Sequence, residues 1–277
     1  MTDSEQGPIT PSETAAVAEL PLPSVAKWRW WIHLILIGGY FLPSIFATGP
    51  RKHPALTYTS RGLLIVCGFQ IAAFALVFGL GWLSSRATTD ELLLKWRPKW
   101  WVLPLGIGYS IAVRIALGMV ALVVSVILLA TVFDQRQLTD FWRSGEPNIR
   151  EVVSISTARS DPVYVFLLLT IVSFVVAGLR EELWRSGTLA AMRALWPRAF
   201  GSRFGEVVAV LLIAIEFGAG HMRLGIFAAV AAGLLGIFLG LIMLAHRSIW
   251  PAVLAHGFFD ATSFALLAWL PVNFQHL

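Results

Sequence analysis

Residues 163–187 read VYVFLLLTIVSFVVAGLREELWRSG, and this stretch decides the fold class. From Val163 to Ala177 it is almost wholly apolar, as a membrane span is. It does not close on a loop. It runs on through Gly178 into two adjacent glutamates, Glu181 and Glu182, with Arg180 before them and Arg185 after. A carboxylate in or near hydrocarbon costs at least about 2.5–3.5 kcal/mol, so two in succession need partners or a task. Adjacent helical residues point about 100° apart, so the pair cannot share one role. One can face a cavity while the other meets Arg185, which is four residues from Glu181 and three from Glu182. The alternative is a charge cluster at a helix end, solvated at the membrane interface.

The rest of the chain fits a membrane setting. Of 277 residues 57% are hydrophobic and 13% charged, against about 25% charged in soluble domains. The expected fold is all-α, a polytopic transmembrane bundle of about seven or eight helices with an intramembrane catalytic cavity. The predicted spans are Trp30–Ala47, Leu63–Leu83, one within Trp100–Phe133, one from Val163 towards Trp196, Val207–Gly220, Leu224–Ala245 and Ile249–Leu270. An eighth arises if Trp100–Phe133 breaks in two. That stretch predicts an interfacial start at Trp100-Trp101 and a helix from about Ile111, with Arg114 needing a partner. Asp134 to Asp161 predicts an extramembrane connection. Residues 1–26 are polar, proline-rich and acidic before they are basic, the wrong order for a secretory leader, and predict a disordered tail. Placing the N-terminus inside puts slightly more Lys and Arg in the inner loops. The net charge of +5 then points to anionic lipid headgroups and to no nucleic acid. The single Cys67 excludes an intrachain disulfide. Gly233, Gly236 and Gly240 predict close helix packing.

Four further polar positions stand out in the apolar C-terminal half. His221 ends the run Phe217-Gly218-Ala219-Gly220-His221. His256 and Asp260 stand four apart, hence on one helix face, and Pro251 suits that helix's first turn. Asp260 is thus expected to orient His256 by a hydrogen bond. Glu216 is a further carboxylate with no evident partner. If the helix from Val163 continues to about Arg193, then Glu181, His221 and His256 should line one cavity. No HExxH or GxGD motif is present; Gly257-Phe258-Phe259-Asp260 lacks the second glycine.

Glu181-Glu182-Leu183 with Gly187, Phe217 with His221, and His256 with Asp260 together resemble, in order and spacing, the CPBP family. These are type II CAAX prenyl endopeptidases and their bacterial relatives, including proteins linked to bacteriocin processing and self-immunity. The resemblance covers about residues 160–265 and divides the chain into a tail (1–26), N-terminal transmembrane helices (27–160) and a catalytic core (161–277). It implies a glutamate-type intramembrane endopeptidase acting on a peptide or membrane protein, in a bacterial cytoplasmic membrane, with membrane lipids around it. By motif, Glu181 would be the general base, His221 would help hold and activate water, and His256 and Asp260 would line the oxyanion side. Glu182 would support them, with Arg185 as its partner. No cofactor is implied, though Glu181, His221 and His256 are also zinc ligand types.

The sequence departs from the family at two places. Ser186 stands where the family has arginine, and Arg185 precedes it, so the arginine looks shifted by one. Asp260 stands where the CAAX-processing branch has asparagine, and an ionised aspartate cannot donate to an oxyanion. A non-catalytic membrane protein, binding partners or conferring immunity, is the alternative from another class. A transporter with a Glu/His proton relay is a third, against which the lack of internal repeats argues.

Overall fold

The computed structural model describes residues 26–46, 56–97 and 99–269. The tail expected over 1–26 lies outside these residues except for Ala26, as do Ala47 and the end of the expected core at 270–277. Among the described residues all regular structure is helical. Helices α1 (Lys27–Ile37) and α2 (Leu42–Phe46) flank a 3₁₀ turn. They are followed by α3 (Ser60–Ser85), α4 (Val102–Thr131), and the short α5 (Gln135–Ser144) and α6 (Ile155–Ser160). Then come α7 (Pro162–Leu195), the one-turn α8 (Pro197–Phe200), α9 (Arg203–Gly220), α10 (Ile226–His246) and α11 (Trp250–Trp269).

Five of these are long and apolar enough to cross a membrane: α3, α4 with its 3₁₀ first turn, α7, α10 and α11. The other two predicted spans are helical but different in kind. The first is interrupted at Gly38–Phe41, and α9 carries Arg203, Glu206 and Glu216. The outer surface is apolar, with Ile111, Ile115, Met119 and Val126 of α4 all more than half exposed, as a face against lipid is. Helix α4 starts at Val102 rather than near Ile111. Pro104 lies in its first turn, where a missing N–H costs nothing. The partner Arg114 needed is α11: its guanidinium donates to the Phe259 carbonyl and to the Thr262 and Ser263 hydroxyls, and lies 4.2 Å from the Phe259 ring centre.

Helix α7 positions the site. Asp161 caps it, accepting from the amides of Val163 at 2.9 Å and Tyr164 at 3.2 Å, and Pro162 takes the first helical position. The helix then runs unbroken past the glutamate pair to Leu195, with a π-wound segment at Leu168–Leu179. Such wide turns are rare and concentrate at functional sites. Gly178, next to the end of the segment, lies against α11: a Cβ there would lie 2.8 Å from the Val253 carbonyl oxygen. Gly218 does the same between α9 and α10, where a Cβ would stand 2.7 Å from the Ala229 oxygen. Gly233, Gly236 and Gly240 line that same seam.

The connections sort to two ends, as the alternation of the predicted spans implies. At one end Glu206 accepts from Arg193 (2.8 Å) and from Arg247 (2.7 Å), tying α7, α9 and α10 together. The 86–97 connection docks there too: Leu92 accepts the Ser186 hydroxyl, Leu93 the Ile249 amide at 2.9 Å and Leu94 the Trp250 indole at 2.8 Å. At the other end Leu56 donates to Val152 at 3.0 Å, Tyr164 to Thr57 at 2.9 Å and Asn148 to Leu224 at 3.1 Å.

Candidate active site

Helix α7 carries the two glutamates into the bundle, and they diverge as their spacing requires. Glu182 is wholly buried. Its Oε1 accepts from Arg185, one turn on, and from His256 Nδ1 at 3.2 Å. The shifted arginine thus keeps a carboxylate partner. Its guanidinium lies 4.0 Å from the Phe217 ring centre, a cation–π contact that fixes it between α7 and α9. Ser186, in the arginine's expected slot, turns instead to the Leu92 carbonyl.

Glu181, 7% exposed, faces the other way, into a cavity of about 560 Å³. His221, Asp260, Arg180 and Arg223 share its wall, with Phe41 and Val176 as apolar lining. His256 sits beneath, 3% exposed. Its Nε2 is 3.8 Å from Glu181 Oε2 and 3.8 Å from Asp260 Oδ2. These distances exceed a hydrogen bond. The three groups instead surround one small volume next to the cavity. Asp260 therefore does not orient His256 by a direct hydrogen bond. Glu182 does, because Gly178 lets α11 approach α7 closely enough to bring its carboxylate within reach. A carboxylate only accepts, so His256 carries a proton on Nδ1 and turns Nε2 towards Glu181 and Asp260.

His221 follows the last turn of α9. Its Nδ1 donates to the Phe217 carbonyl at 2.8 Å, and its ring lies 4.5 Å from that of Phe217. This leaves Nε2 as the ring's other polar atom. Of the three residues expected to line one cavity, Glu181 and His221 do, joined by Asp260; His256 does not line it and lies behind, 3.8 Å from Glu181 and from Asp260. Glu216 stands apart: half-buried, with Oε1 lacking a hydrogen-bond partner among the described residues. No group of three or more His, Cys, Asp or Glu side chains among the described residues is set to hold a metal ion.

Sequence reasoning missed three polar residues that shape this site. Arg180 donates from Nη2 to Glu181 Oε1 at 3.1 Å and from Nη1 to Gln70 Oε1 of α3 at 2.7 Å. Buried His33 of α1 bonds Ser85 at 2.8 Å and the Gly187 carbonyl at 3.0 Å, pinning α7 one turn beyond the pair. Gln70 and His33 are lone polar residues within predicted spans, and Arg180 directly precedes Glu181. Each carried the same signal that marked His256.

Residues 163–262 match the family model described as type II CAAX prenyl endopeptidase Rce1-like. No curated protein and no solved structure matches the chain. The matched residues take in α7 from Val163 on, all of α9 and α10, and α11 as far as Thr262, and so every one of Glu181, Glu182, His221, His256 and Asp260. Over this segment the all-α membrane protein is similar to the Rce1-like type II CAAX prenyl endopeptidases.

Proposed function

We propose that the chain is an intramembrane endopeptidase of the glutamate type, hydrolysing a peptide bond of a peptide or membrane protein without a metal, in a bacterial cytoplasmic membrane. The observation that carries this is the division of labour within the glutamate pair. Glu182 is engaged by Arg185 and His256, whereas Glu181 keeps an oxygen towards the cavity wall that holds His221 and Asp260.

In this account water enters from the cavity and is held between Glu181 and His221 Nε2. Glu181 takes a proton as the water oxygen bonds to the substrate carbonyl carbon. The negative charge moves to the carbonyl oxygen, on the side lined by His256 and Asp260. When the C–N bond breaks, Glu181 returns its proton to the leaving amine. Glu182 holds the His256 ring in place throughout, and Arg185 supplies the counter-charge that a buried carboxylate needs.

The test compares membranes from cells producing wild type or Glu181→Gln, reading new peptide termini by mass spectrometry. Termini that form with wild type and vanish with the variant are expected. Identical sets would favour a non-catalytic scaffold that binds partners or confers immunity.

A further inference from the structure

The proposed hydrolysis has at most one donor for its oxyanion on the side lined by His256 and Asp260. Asp260 offers only acceptors when ionised, and the ring of His256 can present one N–H at most towards that side. We infer that Arg180 is the second oxyanion donor, a catalytic residue of this chain; the inference rests on the peptidase function proposed above.

Three observations place it. Arg180 lines the same cavity as Glu181, His221 and Asp260. Its guanidinium is held on two sides, by Gln70 Oε1 at 2.7 Å and by Glu181 Oε1 at 3.1 Å. The Phe41 ring, 5.7 Å from the guanidinium carbon, adds a third support. Of five N–H donors those contacts occupy two, so the group is anchored with donor capacity left. A fixed donor that needs no reorganisation when charge develops is what oxyanion stabilisation requires.

The ion pair with Glu181 makes the arrangement work in time as well as in space. Before reaction the negative charge beside Arg180 is on Glu181. As Glu181 accepts the proton from water, it becomes neutral, and one unit of negative charge appears on the substrate oxygen. Arg180 loses one anionic partner as the other forms, and the local charge is unchanged. On collapse the C–N bond breaks, the carbonyl re-forms, the proton passes from Glu181 to the amine, and the ion pair is restored. Without Arg180 the oxyanion would lie near the carboxylates of Glu182 and Asp260, and Arg185 is already committed to Glu182.

The experiment measures steady-state cleavage in detergent of an internally quenched peptide built on a cleavage site recovered from membranes. Wild type is compared with Glu181→Gln, Arg180→Lys and Arg180→Gln, each checked for thermal unfolding. Arg180→Gln should lower kcat about 100- to 1,000-fold with KM little changed, the loss seen when one oxyanion donor is removed. Arg180→Lys, keeping charge but not the fork, should fall between it and wild type. If Arg180→Gln does not stay folded, Arg180→Lys alone decides: wild-type kcat overturns the inference, and a reduced kcat at unchanged KM supports it. A folded Arg180→Gln within about threefold of the wild-type kcat also overturns it, while an inactive Glu181→Gln in the same series leaves the peptidase function standing. A wild type that cleaves nothing, or a Glu181→Gln that cleaves as wild type does, overturns the proposed function and the inference with it.

Discussion

Glu182 and Arg185 form an ion pair inside the bundle, with Glu182 Oε2 and Arg185 Nε and Nη2 buried and lacking hydrogen-bond partners among the described residues. Breaking such a pair by removing one partner costs about 3–5 kcal/mol, while replacing both by apolar groups of similar size is often neutral. Arg185→Ala should therefore unfold at markedly lower temperature in detergent, and Glu182→Leu with Arg185→Met should melt close to wild type. The double variant should nonetheless lose about 10–100-fold in activity, because the His256 ring loses the acceptor that orients it. A double variant that is stable and fully active would show that Glu182 serves packing alone. At this scale the sequence was informative wherever a charge stood in an apolar run. Glu181, Glu182, His221, His256 and Asp260 were all marked that way, and their spacing showed which could share a face. Spacing could not show which carboxylate meets which histidine, since His256 is bonded across helices by Glu182 and not along its own helix by Asp260.

The contact between α7 and α11 is what makes a site from separate side chains. Gly178 permits it, with the Val253 carbonyl oxygen 2.8 Å from the position of a Cβ. Gly178→Ala should force the two helices apart or strain them, costing about 1–3 kcal/mol and reducing activity by moving His256 from Glu181. Gly68→Ala, in α3, is the contrasting case. A Cβ there meets nothing within 4 Å, and alanine is the better helix former by about 1 kcal/mol, so stability should hold or rise and activity should not change. Melting temperatures and cleavage rates of the two variants check both statements. Helix boundaries were legible where a cap or proline marked them, as at Asp161-Pro162 and Pro251. The start of α4 lies at Val102 rather than near Ile111 because nearly the whole length of the Trp100–Phe133 stretch is taken up by one helix, whose first-turn Pro104 is harmless. The π segment of α7 has no sequence signal beyond its apolar run.

At the scale of the whole molecule, one end is bound by charge and the other opens the cavity. Burial pushes the Glu206 carboxyl up, but the hydrogen bonds from Arg247 and Arg193 outweigh it and hold the group below the usual carboxylate range. Its stabilisation is therefore complete above the unfolded value of about 4.3 and is lost as pH falls through the lower folded value. The melting temperature of wild type should drop over that acidic window, and Glu206→Gln should be less stable at neutral pH with a flatter profile across it. The membrane class and the two-ended sorting of loops were legible from the lengths and order of the apolar runs. The cavity itself was not, because it depends on how α3, α7, α9, α11 and the broken α1–α2 segment close around Glu181. That closure carries the central claim, and single-turnover cleavage of a membrane-derived peptide by purified protein in detergent, with a chelator present, tests it most directly. Wild type should cleave under these conditions, and Glu181→Gln, equally folded, should be slower by at least about 1,000-fold. A Glu181→Gln protein that cleaves at the wild-type rate would contradict the account.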